Sequence, residues 1–202
     1  PSIQTDRAIF LIWQKPTHLW NFRRIKASLK PAKFTKSGAT IRFKMKDFTH
    51  LDEQQKPSVV NVSSKKITHR KAVAKAVVQL PEEIFTKLQD GNFITAKGSV
   101  FQTAIIAGIM AAKKTGELIP LCHPIGMENC SVDIDFNAQN EIEIFCTAEV
   151  EAKTGIEMEA LTGATVAALT IYDMCKAMSH DIVIKEVKLM EKTGGKNDFK
   201  RT

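Results

Sequence analysis

Only four cysteines occur in the sequence, Cys122, Cys130, Cys146 and Cys175, and no two of them form a Cys-x-x-Cys pair. Neither a zinc ribbon nor a disulfide framework is indicated. With no secretory signal pattern in view, the thiols are expected to be reduced and mostly buried, and the chain cytoplasmic. Long apolar runs are also missing: the most apolar stretch, Val100 to Ala112, is interrupted by Gln102 and Thr103 and falls short of the roughly 20 residues that span a bilayer. No membrane partner is expected. Acids are scarce in one region only. Residues 1–46 hold one, Asp6, against eleven of the 29 Lys and Arg, and they contain both tryptophans, Trp13 and Trp20.

The net charge of +7 therefore belongs to the first 46 residues, which carry +10, while residues 47–202 carry −3. A nucleic-acid-binding domain carries its basic stripe on the fold itself, so that reading is confined to the tail. We expect a basic, poorly ordered N-terminal extension over 1–46, with Ile9 to Trp13 as a short strand, and one domain over 47–202. Acid-poor, basic composition also fits an organelle transit peptide, which would make the compartment mitochondrial.

Within the domain, Ser58 to Ser63 and Thr68 to Leu80 read as strands. Pro81-Glu82-Glu83 opens a helix, because proline at a first helical position and acids in a first turn suit the exposed N–H groups there, and Gly91 ends it. A second helix runs from Ser99 to about Lys114 and is closed by Thr115-Gly116. Ser131 to Phe136 and Glu141 to Val150 alternate apolar and acidic residues around an Asn137–Asn140 turn, the pattern of a hairpin. A long helix from about Gly155 to Met178 and a strand from Ile182 to Met190 follow. This order predicts an α+β single domain, an antiparallel sheet with helices packed on one face.

Three local features carry chemistry. Lys97-Gly98-Ser99 stands at a helix start, where N–H groups and an ammonium can hold a phosphate, although the triplet also serves as an ordinary N-cap. Pro120-Leu121-Cys122-His123-Pro124 sets a histidine between two prolines in a stiff, extended loop, which suits a positioned acid–base group or a plain packing residue. The long helix carries Glu157, Glu159, Asp173 and Lys176 among small and apolar neighbours, and such groups need partners or a function.

The blocks Ile106-Ala107-Gly108-Ile109, Leu118-Ile119-Pro120-Leu121-Cys122-His123-Pro124, Thr154 through Thr162, Val166 through Ala177 and Lys192-Thr193-Gly194-Gly195-Lys196 closely resemble the molybdenum cofactor biosynthesis protein C family, the cyclic pyranopterin monophosphate synthases. The likeness extends upstream through Thr49-His50, Val60 to Ser63 and Thr68-His69-Arg70. It implies a ferredoxin-like fold and conversion of a 3′,8-cyclised dihydroguanosine triphosphate to a pyranopterin carrying a cyclic phosphate, with release of pyrophosphate. Matched position by position, it implies Asp173, Lys176, Lys97, His123 and Lys192 as catalytic residues. Leu121, Cys122, His123, Met158, Glu159, Arg70 and Lys196 are the implied substrate contacts.

The resemblance further implies no resident cofactor and no protein-held metal, with a divalent cation such as magnesium accompanying the triphosphate. It implies a homo-oligomer, a hexamer built as a trimer of dimers, with active sites between subunits. The helix arithmetic agrees with shared sites: Glu159 and Asp173 differ by about 40° around the helix but by about 21 Å along it. Departures from the family pattern occur at Asn61, Ser99, Ile105 and Asn197-Asp198, where Asp, Asp, Arg and a Gly before the terminal Asp-Phe are usual. Loss of the acid and the arginine suggests that a family ion pair is missing. The alternative reading is a catalytically silent relative that binds a nucleotide or a partner subunit.

Overall fold

The structure, a computed structural model, describes residue 54 and residues 56–201. The expected tail boundary, the strand at Ile9 to Trp13 and the Thr49-His50 match lie outside the described residues. All described residues belong to one compact unit, Asp47–Thr202.

The chain first lays down strand β1 (Thr68–Gln79), helix α1 (Glu82–Asp90), the two-residue strands β2 (Ile94–Thr95) and β3 (Gly98–Ser99), helix α2 (Val100–Lys113) and one turn of helix, α3 (Thr115–Leu118). Strands β4 (Asn129–Phe136) and β5 (Ile142–Ala152), helix α4 (Glu157–Cys175), and strands β6 (Val183–Thr193) and β7 (Phe199–Lys200) complete it. The main sheet has the order β4-β5-β1-β6-β7 with every pairing antiparallel. Without the small strands, this is a β-α-β-β-α-β arrangement of the ferredoxin-like type.

Alternation fixes the two faces of the sheet. Ala72, Ala74, Ala76 and Val78 of β1 and Ile142, Ile144, Cys146 and Ala148 of β5 are all fully buried beneath α2 and α4. The opposite face mixes Val73, Val77 and Phe145 with charged residues, Lys75 bonded to Glu143 at 2.5 Å and Lys71 to Glu149 at 3.6 Å. Alanine and glycine on the inner face bring the layers close. A Cβ added at Gly163 of α4 would lie 2.5 Å from the Cys146 sulfur, and one at Gly108 of α2 would lie 2.9 Å from the Gly163 carbonyl oxygen. Two helices in this near-backbone contact leave little freedom for α4 to slide, which matters because its two ends carry the polar groups.

Several sequence expectations need correction. Residues 58–63 are not a strand: the chain passes through extended coil into a turn, because Asn61 Oδ1 takes the Ser63 N–H (2.9 Å) and the Lys65 N–H bonds to the Val62 carbonyl. Gly91 follows α1 but with φ −89°, so it is not a left-handed cap; Asn92 and Phe93 take the positive φ values instead, 52° and 54°. Helix α2 does end at Lys113, with Lys114 as its cap, but Thr115-Gly116 then starts the one-turn helix α3. The last strand runs three residues beyond Met190, as far as Thr193, and pairs with β7, whose two residues were too short to show a period. Among the described residues no helix is long and apolar enough to cross a membrane.

Candidate active site

At the C-terminal end of α4, the carboxylate of Asp173 is held by two ammonium groups. Lys176 Nζ lies 2.6 Å from Oδ1 and Lys97 Nζ 2.8 Å from Oδ2, and Lys97 also donates to the Asp173 carbonyl at 3.1 Å. The Lys176 pair follows from i, i+3 spacing on a helix. The Lys97 contact depends on the tight β2–β3 hairpin. There Gly98 sits at φ +108°, and the Thr95 hydroxyl both accepts from the Lys97 N–H (3.2 Å) and donates to the Gly98 carbonyl (3.2 Å). Behind the hairpin, left-handed Phe93 stacks on Phe101 at 4.5 Å, and its carbonyl accepts the Val100 N–H at 2.9 Å. Lys97 thus points along α4 toward Asp173. Ser99 is the N-cap of α2, accepting from Gln102 N–H at 3.4 Å.

All three charged side chains are about half exposed, at 52–54%, so the arrangement is a surface constellation. Lys176, then Lys97, pull the Asp173 carboxyl down to about 2 from its ordinary 3.8, and Asp173 in turn holds Lys176 above its ordinary value. One anionic oxygen pair with two ammonium donors is suited to proton handling beside a polyphosphate, because either cation can exchange its carboxylate partner for a phosphate oxygen.

A second polar cluster lies at the N-terminal end of the same helix. Glu159 is 2% exposed, and its Oε2 is the one buried side-chain oxygen without a hydrogen-bond partner among the described residues. Its Oε1 faces the Cys122 sulfur at 4.0 Å. Burial, then the nearby Glu157, raises the Glu159 carboxyl above its ordinary value, and burial together with Glu159 raises the Cys122 thiol. Glu157 is itself paired with Lys192 at 2.9 Å. Met158, between the two acids, is 37% exposed.

The loop before β4 does not run extended from Pro120: it turns, with the Cys122 N–H bonded to the Ile119 carbonyl at 3.0 Å, and only then extends through His123-Pro124. Leu121 and His123 are partly buried, and His123 Nε2 sits 2.7 Å from the Val60 carbonyl oxygen. His123 opens onto a cleft of about 270 Å³ lined by Val62, Gly126, Glu151, Lys153 and Thr154 among others. A larger, shallow hollow on the outer face of α1, lined by Glu82, Glu83, Thr86, Lys87 and Asp90, is remote in sequence from these groups and holds no catalytic pattern. Arg70 approaches the Ala152 carbonyl at 3.4 Å and lies under Gly195, while Lys196 stands exposed in the following loop.

The predicted residues thus fall into two groups: Lys97, Asp173 and Lys176 at one end of α4, and Leu121, Cys122, Met158, Glu159 and Lys192 at the other, where His123, Arg70 and Lys196 surround the neighbouring loops. Fourteen residues of helix, about 21 Å, separate Glu159 from Asp173. Lys97 differs from its sequence reading, since its ammonium meets Asp173 rather than the α2 N-terminus. Lys153 was not predicted; it directly precedes the Thr154-Gly155 block, and extending that block by one residue would have found it. Among the described residues, no group of three or more His, Cys, Asp or Glu side chains is placed to hold a metal ion. The departures are accommodated locally, Asn61 in its turn and Ile105 packed partly buried against the core.

A ferredoxin-like sheet whose single long helix bears these polar ends matches the MoaC family profile over residues 59–195, and the chain belongs to the MoaC family. Among its relatives, a cyclic pyranopterin monophosphate synthase of Xanthomonas campestris pv. campestris strain B100 is 48% identical over 151 residues, which cover 75% of this chain and 92% of that protein. One of the same name from Xanthomonas axonopodis pv. citri is 49% identical over the same length and coverage. A molybdenum cofactor biosynthesis bifunctional protein of Synechocystis is 52% identical over 159 residues, 77% of this chain but 46% of that longer protein.

Proposed function

We propose that this protein is a cyclic pyranopterin monophosphate synthase, a lyase of molybdenum cofactor biosynthesis. The observation that carries this reading is the Lys97–Asp173–Lys176 constellation in a chain of the MoaC family. The substrate is the 3′,8-cyclised dihydroguanosine triphosphate and the products are cyclic pyranopterin monophosphate and pyrophosphate. In the phosphoryl step, a sugar hydroxyl attacks the α-phosphorus, the new P–O bond closes the cyclic phosphate, the α–β anhydride bond breaks, and pyrophosphate carries away its electron pair. The hydroxyl proton needs an acceptor and the leaving group needs cations.

The residues of this chain suit both needs. In the resting protein, two ammonium groups hold Asp173 weakly basic. When a phosphate oxygen takes Lys97 or Lys176, Asp173 loses a partner and its basicity rises toward the ordinary carboxylate value, the direction a proton acceptor requires. At the other end of the helix, Glu159 holds an oxygen lacking a donor, buried beside the Cys122 sulfur, and a purine-derived ring that displaces Cys122 would supply the missing N–H. A divalent cation such as magnesium arrives with the triphosphate, and the protein supplies lysines.

Two ends separated by about 21 Å do not form one compact pocket, so each site is completed by a second copy, one subunit giving the Glu159 end and its neighbour the Asp173 end, in a symmetric dimer that assembles further into a hexamer. The enzyme acts in the cytoplasm. Incubation with the cyclised triphosphate tests the reading: pyrophosphate and a pyranopterin product are expected, and folded protein that releases neither overturns it.

A further inference from the structure

The cleft beside His123 is bordered by Val62 of the segment 58–63, on which two side chains from distant parts of the chain converge. His123 Nε2 meets the Val60 carbonyl at 2.7 Å, and Lys153 Nζ donates to the Ser63 carbonyl at 2.9 Å, across 63 and 90 residues of sequence. Among the described residues the segment has no strand partner: its own bonds are the Ser58 hydroxyl to the Val59 carbonyl (3.4 Å), the Asn61–Ser63 turn and Lys65 N–H to Val62 carbonyl. The two side-chain contacts at Val60 and Ser63 add to these from distant parts of the chain. Both use cleft-lining groups, and in both the acceptor is a neutral peptide oxygen.

Charge-assisted hydrogen bonds to phosphate are shorter and stronger than those to a neutral carbonyl. Lys153 is partly buried, its neighbours on the cleft wall include the Thr154 side chain and the open backbone of Gly126, and the one carboxylate there, Glu151, is solvent-exposed. One ammonium and one imidazole nitrogen on this wall, each set on a displaceable peptide oxygen, form a pair of points at which phosphate oxygens can be held.

We infer that Lys153 is a further polyphosphate ligand of the His123 cleft, and that the 58–63 segment is a strap whose Val60 and Ser63 carbonyls stand in for phosphate oxygens until a polyphosphate displaces them. This rests on the synthase reading and deepens it, assigning the outer phosphates of the substrate to this cleft and leaving the α-phosphate to Lys97 and Lys176.

The test uses the full chain and inorganic tripolyphosphate, with affinity measured by calorimetry and hydrogen exchange followed over residues 57–66. Wild type is expected to bind and to show faster exchange at the Ser63 and Lys65 amides on addition of the ion. In Lys153→Met those amides exchange faster before any addition, and affinity falls by about tenfold or more, the usual effect of losing one charged hydrogen bond; Lys153→Arg restores most of it. Should Lys153→Met misfold by circular dichroism, Lys153→Gln is read in its place. Unchanged affinity in the neutral variant, or exchange over 57–66 that stays level or slows when tripolyphosphate is added to wild type, overturns the inference. Turnover of the cyclised triphosphate is scored separately, so an active enzyme with an unresponsive strap sinks this inference alone.

Discussion

Lys97 and Asp173 are 76 residues apart in sequence, and their side chains meet at 2.8 Å. The hairpin that bears the lysine is braced by Phe93, and the helix that bears the aspartate is braced by the sheet, so the contact joins two rigid elements. Asp173→Asn is expected to lower kcat/KM by about 10²- to 10⁴-fold, the range for loss of a proton-transfer group, with little change in Tm because the ion pairs are exposed. Steady-state kinetics with a thermal melt checks it. A variant with near-wild-type turnover would remove the chemistry from this end of α4.

The pH dependence of that carboxylate has a definite sign. Its folded pKa, about 2, lies below its ordinary 3.8 because the lysines favour the ionised form. The small stabilisation they bring is present above the ordinary value and lost as pH falls through the folded one. Between about pH 5 and 8 the Tm difference between wild type and Asp173→Asn is therefore expected to stay constant. An acid limb of kcat/KM in that range that vanishes in the variant would contradict a permanently ionised resting Asp173.

Glu159 shows the opposite case. Its folded pKa is raised above 4.5 by burial, so its burial is tolerated below that value and costs stability as pH rises through the raised one. Glu159→Gln should raise Tm at neutral pH, with the gain shrinking toward pH 4, while substrate affinity falls. That is the trade-off expected where a functional group is kept against the interest of the fold. A Tm difference independent of pH would mean the carboxyl has a hidden partner.

Gly163 has no room for a side chain, since a Cβ there would sit 2.5 Å from the Cys146 sulfur. Gly163→Ala is expected to cost about 1–3 kcal/mol by overpacking. In the double variant with Cys146→Ala much of that cost should return, a non-additivity measurable by denaturant titration. Strict additivity would place the strain elsewhere, at the Gly108 backbone.

Shared sites predict complementation. Glu159→Ala and Asp173→Ala, each inactive alone, are mixed in equal amounts under conditions that exchange subunits. Random pairing gives one intact pocket in each mixed dimer, so about a quarter of wild-type activity should return. No recovery, with mass measurement confirming exchange, would leave both ends of α4 in the service of separate sites.

Much of the fold could be read from periodicity. The β4–β5 hairpin and the long helix emerge within a few residues of their ends, because alternation and small-residue spacing are local consequences of burial on one face. The 58–63 segment was misread for the same reason. Val59, Val60 and Val62 are β-branched, but among the described residues no strand comes alongside, and Asn61 closes a local turn instead. In the site, residue identities at Leu121 to His123, Glu159, Asp173 and Lys176 were legible because the family blocks run through them, and the Asp173–Lys176 contact followed from helical spacing.

Sequence by itself determined which residue types are available, that they lie along one amphipathic α+β chain, and that Glu159 and Asp173 occupy opposite ends of one helix, since helical rise is a property of the backbone. Tertiary structure alone decided which groups meet. Lys97 reaches Asp173 because a left-handed Phe93 turns its hairpin toward α4, Lys153 and His123 converge on the strap through antiparallel packing, and Glu159 loses its water because α4 presses that turn against the core. Such contacts join residues 35 to 90 positions apart, and their distances depend on how layers pack, which no local pattern encodes.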